Sequence, residues 1–216
     1  MFYVVNKNPS GTGIELYRTD YYYDDSVPRE PASRCAQCGA FISLLKRVPP
    51  YRVHLETWGI GFGDIAFWMD AVLVSSRFRD TFESSGLRGL SEFLPVEVVS
   101  CRKHRKLHAE VPSYFRTMPN RGSAKIDPLA SGINWGEPDK PRCDVCLNGQ
   151  GVLKRWNSVV VDESTWNGDD IFYAYGIPGT LIVSSQFADW AKELDFKNLF
   201  LVNTQTSSHD FYPMES

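Results

Sequence analysis

The clearest hydrophobic pattern in the chain is a short apolar run followed by a helical period, and it occurs twice. Ala71–Phe78 reads AVLVSSRF, and Gly179–Phe187 reads GTLIVSSQF. β-Branched runs of this length predict buried strands, and the amphipathic residues that follow each run predict a helix. The second serine of each pair, Ser76 or Ser185, stands where a helix N-cap is expected.

Other apolar segments predict the remaining strands. Gly86 and Gly89 are expected to end the first helix. The predicted further strands are Phe2–Val5, Val53–Glu56, Phe93–Val99, Ser158–Val161 and Leu199–Asn203.

The two strand–helix–strand segments indicate an internal repeat. Trp58 and Trp166 precede them at similar positions, and a CxxC pair lies further upstream in each case. A repeat of about 108 residues suggests a duplication rather than a solenoid, whose repeats are ~20–50 residues long. We therefore predict an α+β protein that forms a single compact unit over 1–216, with related halves at approximately 35–108 and 143–206. The Pro- and Gly-rich segment 109–142 is the predicted connector.

Four of the five cysteines form two CxxC pairs, Cys35 with Cys38 and Cys143 with Cys146. Two such pairs can supply four thiolates to a tetrahedral zinc, and Gly39 suits the turn after the first pair because glycine tolerates positive φ. About 105 residues separate the pairs, against ~15–20 in a compact zinc ribbon, so a zinc here would join the two halves. Four protein ligands close the coordination shell, which indicates a structural ion. The alternatives are two redox-active pairs or buried free thiols.

Composition and charge exclude several classes of protein. A chain of 216 residues that is 43% hydrophobic and 23% charged is typical of globular proteins and excludes disordered, collagenous and coiled-coil classes. The formal net charge of -3 gives no overall attraction to nucleic acid or anionic lipid. The first residues lack the pattern of a secretory signal, and no apolar stretch reaches the ~20 residues that span a bilayer. Paired cysteines in such a chain predict a cytoplasmic protein.

A further group of possible ligands, Cys101, His104 and His108, lies within the basic run CRKHRKLH. The spacing resembles part of a metal site, and the cations could contact phosphate. Because the run contains no interleaved aromatic residues, we interpret it as a solvated surface turn.

Motifs of common catalytic sites are absent from the sequence, including GxSxG, HExxH, GxxxxGK[ST] and GxGxxG in a βαβ unit. The glycine-rich segment Gly59–Gly63 is not followed by the Lys-Ser/Thr of a phosphate loop. Ser75 with His54 or His209 is a conceivable nucleophile and base, although helix capping is the ordinary role of such a serine. We predict that the protein is not an enzyme.

Two clusters place carboxylates beside large aromatic rings. Aromatic residues anchor protein interfaces and carboxylates attract basic partners, so both clusters are candidate binding surfaces. The alternative for each is an ordinary loop with core-facing rings and solvated acids. The candidate residues are Tyr22, Asp24 and Asp25 in the first cluster and Glu163, Trp166, Asp169 and Asp170 in the second.

The paired cysteines, the first of them as CxxCG, and the closing segment DIFYAYGIPGTLIVSSQFADWAKELDFKNLFLV resemble the bacterial double-CXXCG motif proteins. The resemblance covers most of Cys35–Val202. It departs from the motif at Leu147, which stands where the second glycine is expected. These proteins are grouped with immunity proteins of polymorphic toxin systems, including the Myxococcus exchange-toxin type.

The resemblance implies a cytoplasmic protein that binds a cognate toxin effector domain and blocks it stoichiometrically. From the charge balance and the lengths of the apolar stretches, we expect neither a membrane nor a nucleic acid as a partner. It assigns Cys35, Cys38, Cys143 and Cys146 as ligands of a structural Zn²⁺ and Gly39 as part of their turn. The alternatives are a zinc-containing nucleic-acid-binding or regulatory module and a cryptic enzyme.

Overall fold

The computed structural model describes residues 1–6, 14–43, 46–67, 71–107, 109–136, 142–148 and 153–210. Its first elements are β1 (Phe2–Val5), β2 (Thr19–Tyr23), β3 (Arg29–Glu30), β4 (Lys46–Arg47), β5 (Arg52–Thr57), β6 (Ile65–Phe67), β7 (Val72–Ser75), α1 (Ser76–Ser85), β8 (Leu94–Pro95) and β9 (Glu97–Lys103). The later elements are β10 (Tyr114–Thr117), β11 (Lys125–Ile126), β12 (Arg155–Trp156), β13 (Val161–Asp162), β14 (Ile171–Tyr173), β15 (Leu181–Ser184), α2 (Ser185–Glu193), β16 (Leu201–Asn203) and β17 (His209–Asp210). The described part of the chain is therefore an α+β structure in which strands predominate.

Two sheets form the larger part of the fold. The smaller sheet has the order β14-β15-β1-β16, and the larger has the order β8-β10-β7-β6-β2-β5-β9. Within the larger sheet, β6-β7-β10-β8 repeats the antiparallel order of the smaller sheet. β1 lies between β15 and β16, whereas β10 lies between β7 and β8. β1 therefore completes a sheet whose other strands lie beyond residue 170, and β10, from the connector, takes the corresponding place in the larger sheet.

The two edge strands of the larger sheet, β8 and β9, follow each other in the sequence, so the sheet curls to bring its two edges together. They are separated only by Val96, whose N–H donates to Tyr114 O at 3.2 Å. The next residue, Glu97, donates its N–H to Tyr51 O at 2.9 Å, beside β5 at the other edge of the sheet. The strand predicted at Phe93–Val99 is consequently divided in two at Val96.

β7 and β15 are buried on both faces, which explains why their sequences are continuously apolar. Val74 and Val183 point into a central core that both helices cover. Leu73 points into a second core inside the larger sheet, and Ile182 points into a third core behind the smaller one. Because side chains alternate along a strand, β7 contacts the central and second cores and β15 contacts the central and third cores.

Both helices cover the central core with apolar residues. Phe78 and Phe82 of α1 are buried, and their rings stack at 5.9 Å between centroids. Phe187 of α2 is also buried, with its ring centroid 6.4 Å from that of Phe78. Gly86 caps the C-terminus of α1 with φ 75°, as the sequence predicts. In the described ranges, neither helix has the length and hydrophobicity that a membrane span requires.

The serine pairs cap the helices, but the prediction chose the wrong member of each pair. The N-caps are Ser75 and Ser184 rather than Ser76 and Ser185. A cap hydroxyl accepts from the amide three residues ahead. Ser75 Oγ accepts from Phe78 N at 3.2 Å, and Ser184 Oγ accepts from the N–H of Phe187 at 3.1 Å. Each helix therefore begins one residue earlier than the sequence suggested.

The other strand predictions differ mainly in length. Phe2–Val5 has the predicted bounds, and the strand predicted at Val53–Glu56 extends by one residue at each end. In place of the strand predicted at Ser158–Val161 there is only the two-residue strand β13, and the strand predicted at Leu199–Asn203 begins at Leu201. The connector 109–142 contains β10 and β11, so it also contributes to the sheets.

Two buried aspartates hold the segments that follow the helices. The N–H of Asp64 donates to Lys197 O at 2.9 Å, and its carboxylate accepts from the N–H of Lys197 at 2.9 Å. Asp170 makes the same pair of contacts with Arg88, at 2.8 and 2.9 Å. Lys197 follows α2 and Arg88 follows α1, so each aspartate binds the exit of the helix in the other part of the chain.

Candidate metal centre

The two CxxC pairs come together in the structure. Cys35 Sγ lies 3.8 Å from Cys143 Sγ, and Cys38 Sγ lies 3.6 Å from Cys146 Sγ. All four sulfur atoms lie within 4.8 Å of one another. In both of these sulfur–sulfur contacts, the two cysteines are 108 positions apart in the sequence.

Each pair is shaped by the same turn. Gly39 N donates to Cys35 O at 2.9 Å, and Leu147 N donates to Cys143 O at 2.8 Å. Gly39 has φ 71° and Leu147 has φ 56°, so both residues occupy the left-handed region. Leu147 therefore adopts the conformation that the missing glycine would take, at a cost of about 1 kcal/mol. The departure from a strict CxxCG motif leaves the second turn intact.

The spacing of the sulfurs fits a tetrahedral ion. Four thiolates at about 2.3 Å from a zinc would lie about 3.8 Å apart, close to the two distances that join equivalent cysteines. Cys35, Cys143 and Cys146 are buried, whereas Cys38 is exposed and leaves the centre accessible from one side. The four cysteines are therefore positioned to bind a metal ion.

The local electrostatics differ among the thiols. Backbone N–H groups of Cys38 and Gln37 donate to the Cys35 sulfur and lower the pKa of Cys35 to about 7. Burial raises the pKa of Cys146 to about 12. Because adjacent thiolates repel one another, a cation bound among them would favour their joint ionisation.

The structure places Cys101 apart from this centre. Its side chain packs against the core inside the larger sheet, and burial raises the pKa of its thiol. His104 is exposed in the turn after β9, with its ring stacked on Trp58 at 4.7 Å between centroids. His108 lies outside the described residues. The basic run thus does have an aromatic neighbour, supplied by a segment that is distant in the sequence.

The first acidic and aromatic cluster lies on the outer face of β2, β5 and β9. Tyr22 is 44% exposed and stacks on the ring of His54 at 4.9 Å between centroids. Asp24 is half-buried, and hydrogen bonds from the side chain and N–H of Ser26 and from His54 lower its pKa to about 2. Asp25 is exposed. Ionised carboxylates and an exposed ring are therefore both present on this face.

A Ser–His–Asp contact that the sequence did not suggest crosses the same face. His54 Nδ1 lies 2.7 Å from Ser100 Oγ, and His54 Nε2 lies 3.0 Å from Asp24 Oδ2. Ser75, which the sequence offered as a partner of His54, instead caps α1 and donates its hydroxyl to Asp64 at 2.8 Å. No sequence signal identifies Ser100, because it reaches His54 only through the parallel pairing of β5 and β9.

The second cluster is largely internal. Asp169 and Asp170 are each 7% exposed, and Asp170 accepts from Ser184 Oγ at 2.6 Å. Trp166 donates its Nε1 hydrogen to Asp169 O at 2.8 Å, and its ring packs edge-on against Phe2 at 5.1 Å. These aspartates hold the fold and offer little carboxylate surface to a partner. Glu163 remains exposed.

Neither the known protein families nor the curated proteins contain a match to this sequence.

Proposed function

We propose that this protein is a cytoplasmic immunity protein that neutralises a cognate bacterial toxin domain by stoichiometric binding and is stabilised by a structural zinc. The observation that carries the proposal is the four-cysteine centre, in which two equivalent turns face each other. It supports the resemblance to double-CXXCG proteins, on which the assignment to toxin immunity rests.

The zinc would join two related halves of the chain. This part of the proposal is supported by the shared strand order of the two sheets and by the matched contacts of Asp64 and Asp170. It is also supported by the pairing of equivalent cysteines, since a site on a two-fold axis brings each residue against its counterpart. Four thiolates would fill the coordination shell, so the ion would contribute free energy to folding rather than chemistry.

The surface we assign to the toxin is the one around Tyr22, Asp24 and Asp25. An exposed tyrosine held by stacking loses little conformational entropy on binding, and the carboxylates would attract a basic toxin surface. Glu163 is a weaker candidate, because the neighbouring aspartates are buried. The reducing cytoplasm suits a protein that depends on free thiolates.

The resemblance implies that the cognate toxin is encoded in a neighbouring gene, and co-expression with that toxin domain tests the proposal. We expect a one-to-one complex and rescue of growth. Asp25→Lys with Tyr22→Ala should weaken the complex about tenfold or more, while Glu83→Lys, which reverses an exposed charge on α1, serves as the acidic control on another surface. Protection without a complex, or at far below one copy per toxin, would contradict inhibition by binding.

The metal is tested separately on the purified protein. We expect one zinc per chain, with four sulfur ligands at about 2.3 Å by X-ray absorption. A metal-free protein with a disulfide in either CxxC pair would contradict this part of the proposal. A protein with zinc but no toxin partner would contradict only the immunity function.

A further inference from the structure

A column of three stacked side chains stands at the end of the outer face of β2, β5 and β9. Arg18 lies over the ring of Trp58 at 4.4 Å, and His104 stacks on the same indole with an angle of 6° between the rings. Trp58 is half-buried and His104 is exposed, so the column ends in a flat ring that solvent reaches. These contacts fix the orientation of the imidazole ring in advance of any ligand.

Exposed cations lie close to His104 along the chain. Arg102, Arg105 and Lys106 are exposed beside His104. Arg102 lies 3.5 Å from Glu56, and Arg18 is paired with Asp20 at 2.9 Å. We call the set Arg18, Trp58, Arg102, His104, Arg105 and Lys106 the Trp58 surface. Two of its four cationic side chains are paired with carboxylates, so the surface is locally positive on a chain whose net charge is -3.

This combination matches the chemistry of single-stranded nucleic acid. Proteins bind such strands by placing cations along the phosphates and aromatic rings beneath the bases, and every base offers a π-face. An acidic polypeptide would use the cations but not the flat end of the column. A duplex would use the cations but keep its bases stacked on each other.

We propose that the Trp58 surface binds single-stranded nucleic acid, with a base stacked on His104 and phosphates on Arg102, Arg105 and Lys106. The preorganised column limits the side-chain entropy lost on binding. The proposal does not depend on the immunity function, since the surface is defined by its own contacts.

The direct test measures fluorescence anisotropy of fluorescein-labelled 12-nucleotide oligo(U) and oligo(dT) with the full-length protein. We expect saturable binding that weakens with salt, with a log–log slope near −2 for three phosphate contacts, since each contributes about −0.7. Arg105→Glu with Lys106→Glu should weaken binding at least tenfold and flatten the slope. Arg29→Glu with Lys46→Glu, which reverses two exposed cations on β3 and β4, should leave the affinity within twofold.

A second set of variants separates stacking from charge. His104→Ala should weaken binding about tenfold, the loss of one base stack, whereas His104→Phe should retain most of the affinity. A thermal melt of each variant checks that it is folded.

Several results would overturn the proposal. These are no binding at 100 μM protein, equal binding of a 12-base-pair duplex, or equal loss in both His104 variants. Binding of poly-glutamate as tight as that of oligo(U) would instead assign the surface to an acidic polypeptide.

Discussion

Replacement of Asp64 by asparagine tests the contacts that join the two parts of the chain. Asp64 is 8% exposed, and its carboxylate accepts from Ser75 Oγ at 2.8 Å, from Lys197 N at 2.9 Å and from Arg77 Nη2 at 2.6 Å. Asparagine has the same shape but replaces one acceptor oxygen by a donor, which would face the donors of Arg77 and Lys197.

The expected loss follows from these contacts. A hydrogen bond to a charged group contributes about 1.5–3 kcal/mol, and an unpaired buried donor costs about 1–3 kcal/mol. The Arg77 side chain is half-exposed and can be hydrated when its partner changes, so its hydrogen bonds contribute less to the loss of unfolding free energy. We expect Asp64→Asn to lower the free energy of unfolding by about 3 kcal/mol, or the melting temperature by about 6–12 °C for a chain of this size.

Urea denaturation at pH 7 measures this loss, and Asp80→Asn is the matched control. Asp80 forms an ion pair with Arg79 on the surface, and 58% of its side chain is exposed. Its replacement should change the free energy of unfolding by less than about 0.5 kcal/mol. Equal losses in the two variants would refute the structural role of Asp64.

The pH dependence provides a further check. Burial raises the pKa of Asp64, but hydrogen bonds from Arg77, the N–H of Lys197 and Ser75 outweigh burial, so the folded pKa lies below the ordinary value of 3.8. The stabilisation is therefore complete above the ordinary pKa and is lost as the pH falls through the lower folded value. The difference between wild type and Asp64→Asn should shrink between pH 5 and pH 2. A difference that stays constant would contradict this assignment.

Three further predictions concern the metal centre and the core. Cys143→Ser should lower both the zinc content, measured by mass spectrometry, and the melting temperature; an unchanged melt would exclude a metal that joins the halves. Gly39→Ala should cost about 1 kcal/mol of unfolding free energy and weaken zinc binding, because φ is 71° and no atom blocks a Cβ. Gly86→Ala, at φ 75°, is the control for Gly39→Ala and should show a similar cost by urea denaturation with normal zinc content. Trp166→Ala should destabilise the fold by about 2–3 kcal/mol in the same assay, since the ring packs on Phe2; a neutral result would favour a surface role.

The candidate metal centre was largely predictable from the sequence. A CxxC pair sets its own turn through local hydrogen bonds, and Gly39 takes the positive φ that its position suggested. Leu147 adopts the same conformation without the favourable residue, because the turn as a whole determines its backbone. What local sequence could not give is the approach of the two pairs, which depends on how the sheets pack.

The surface sites were less predictable. Asp169 and Asp170 are acidic residues in a polar stretch, yet the fold uses them as internal acceptors. Trp58 meets His104 only because β9 pairs with β5. A linear sequence reports charge and ring content, whereas accessibility depends on contacts between residues that are distant in the chain.

The sequence by itself determined the local elements: the apolar runs of β7 and β15, the helices after them, and the turns around the cysteines. These follow from side-chain periodicity and backbone preference, which act over a few residues. The tertiary structure alone decided that β1 is inserted between β15 and β16 and that β10 is inserted between β7 and β8. The pairing of strands that are distant in the sequence depends on the burial of both faces of β7 and β15. That burial exists only once the sheets have packed, so the local sequence does not show which strand pairs with which.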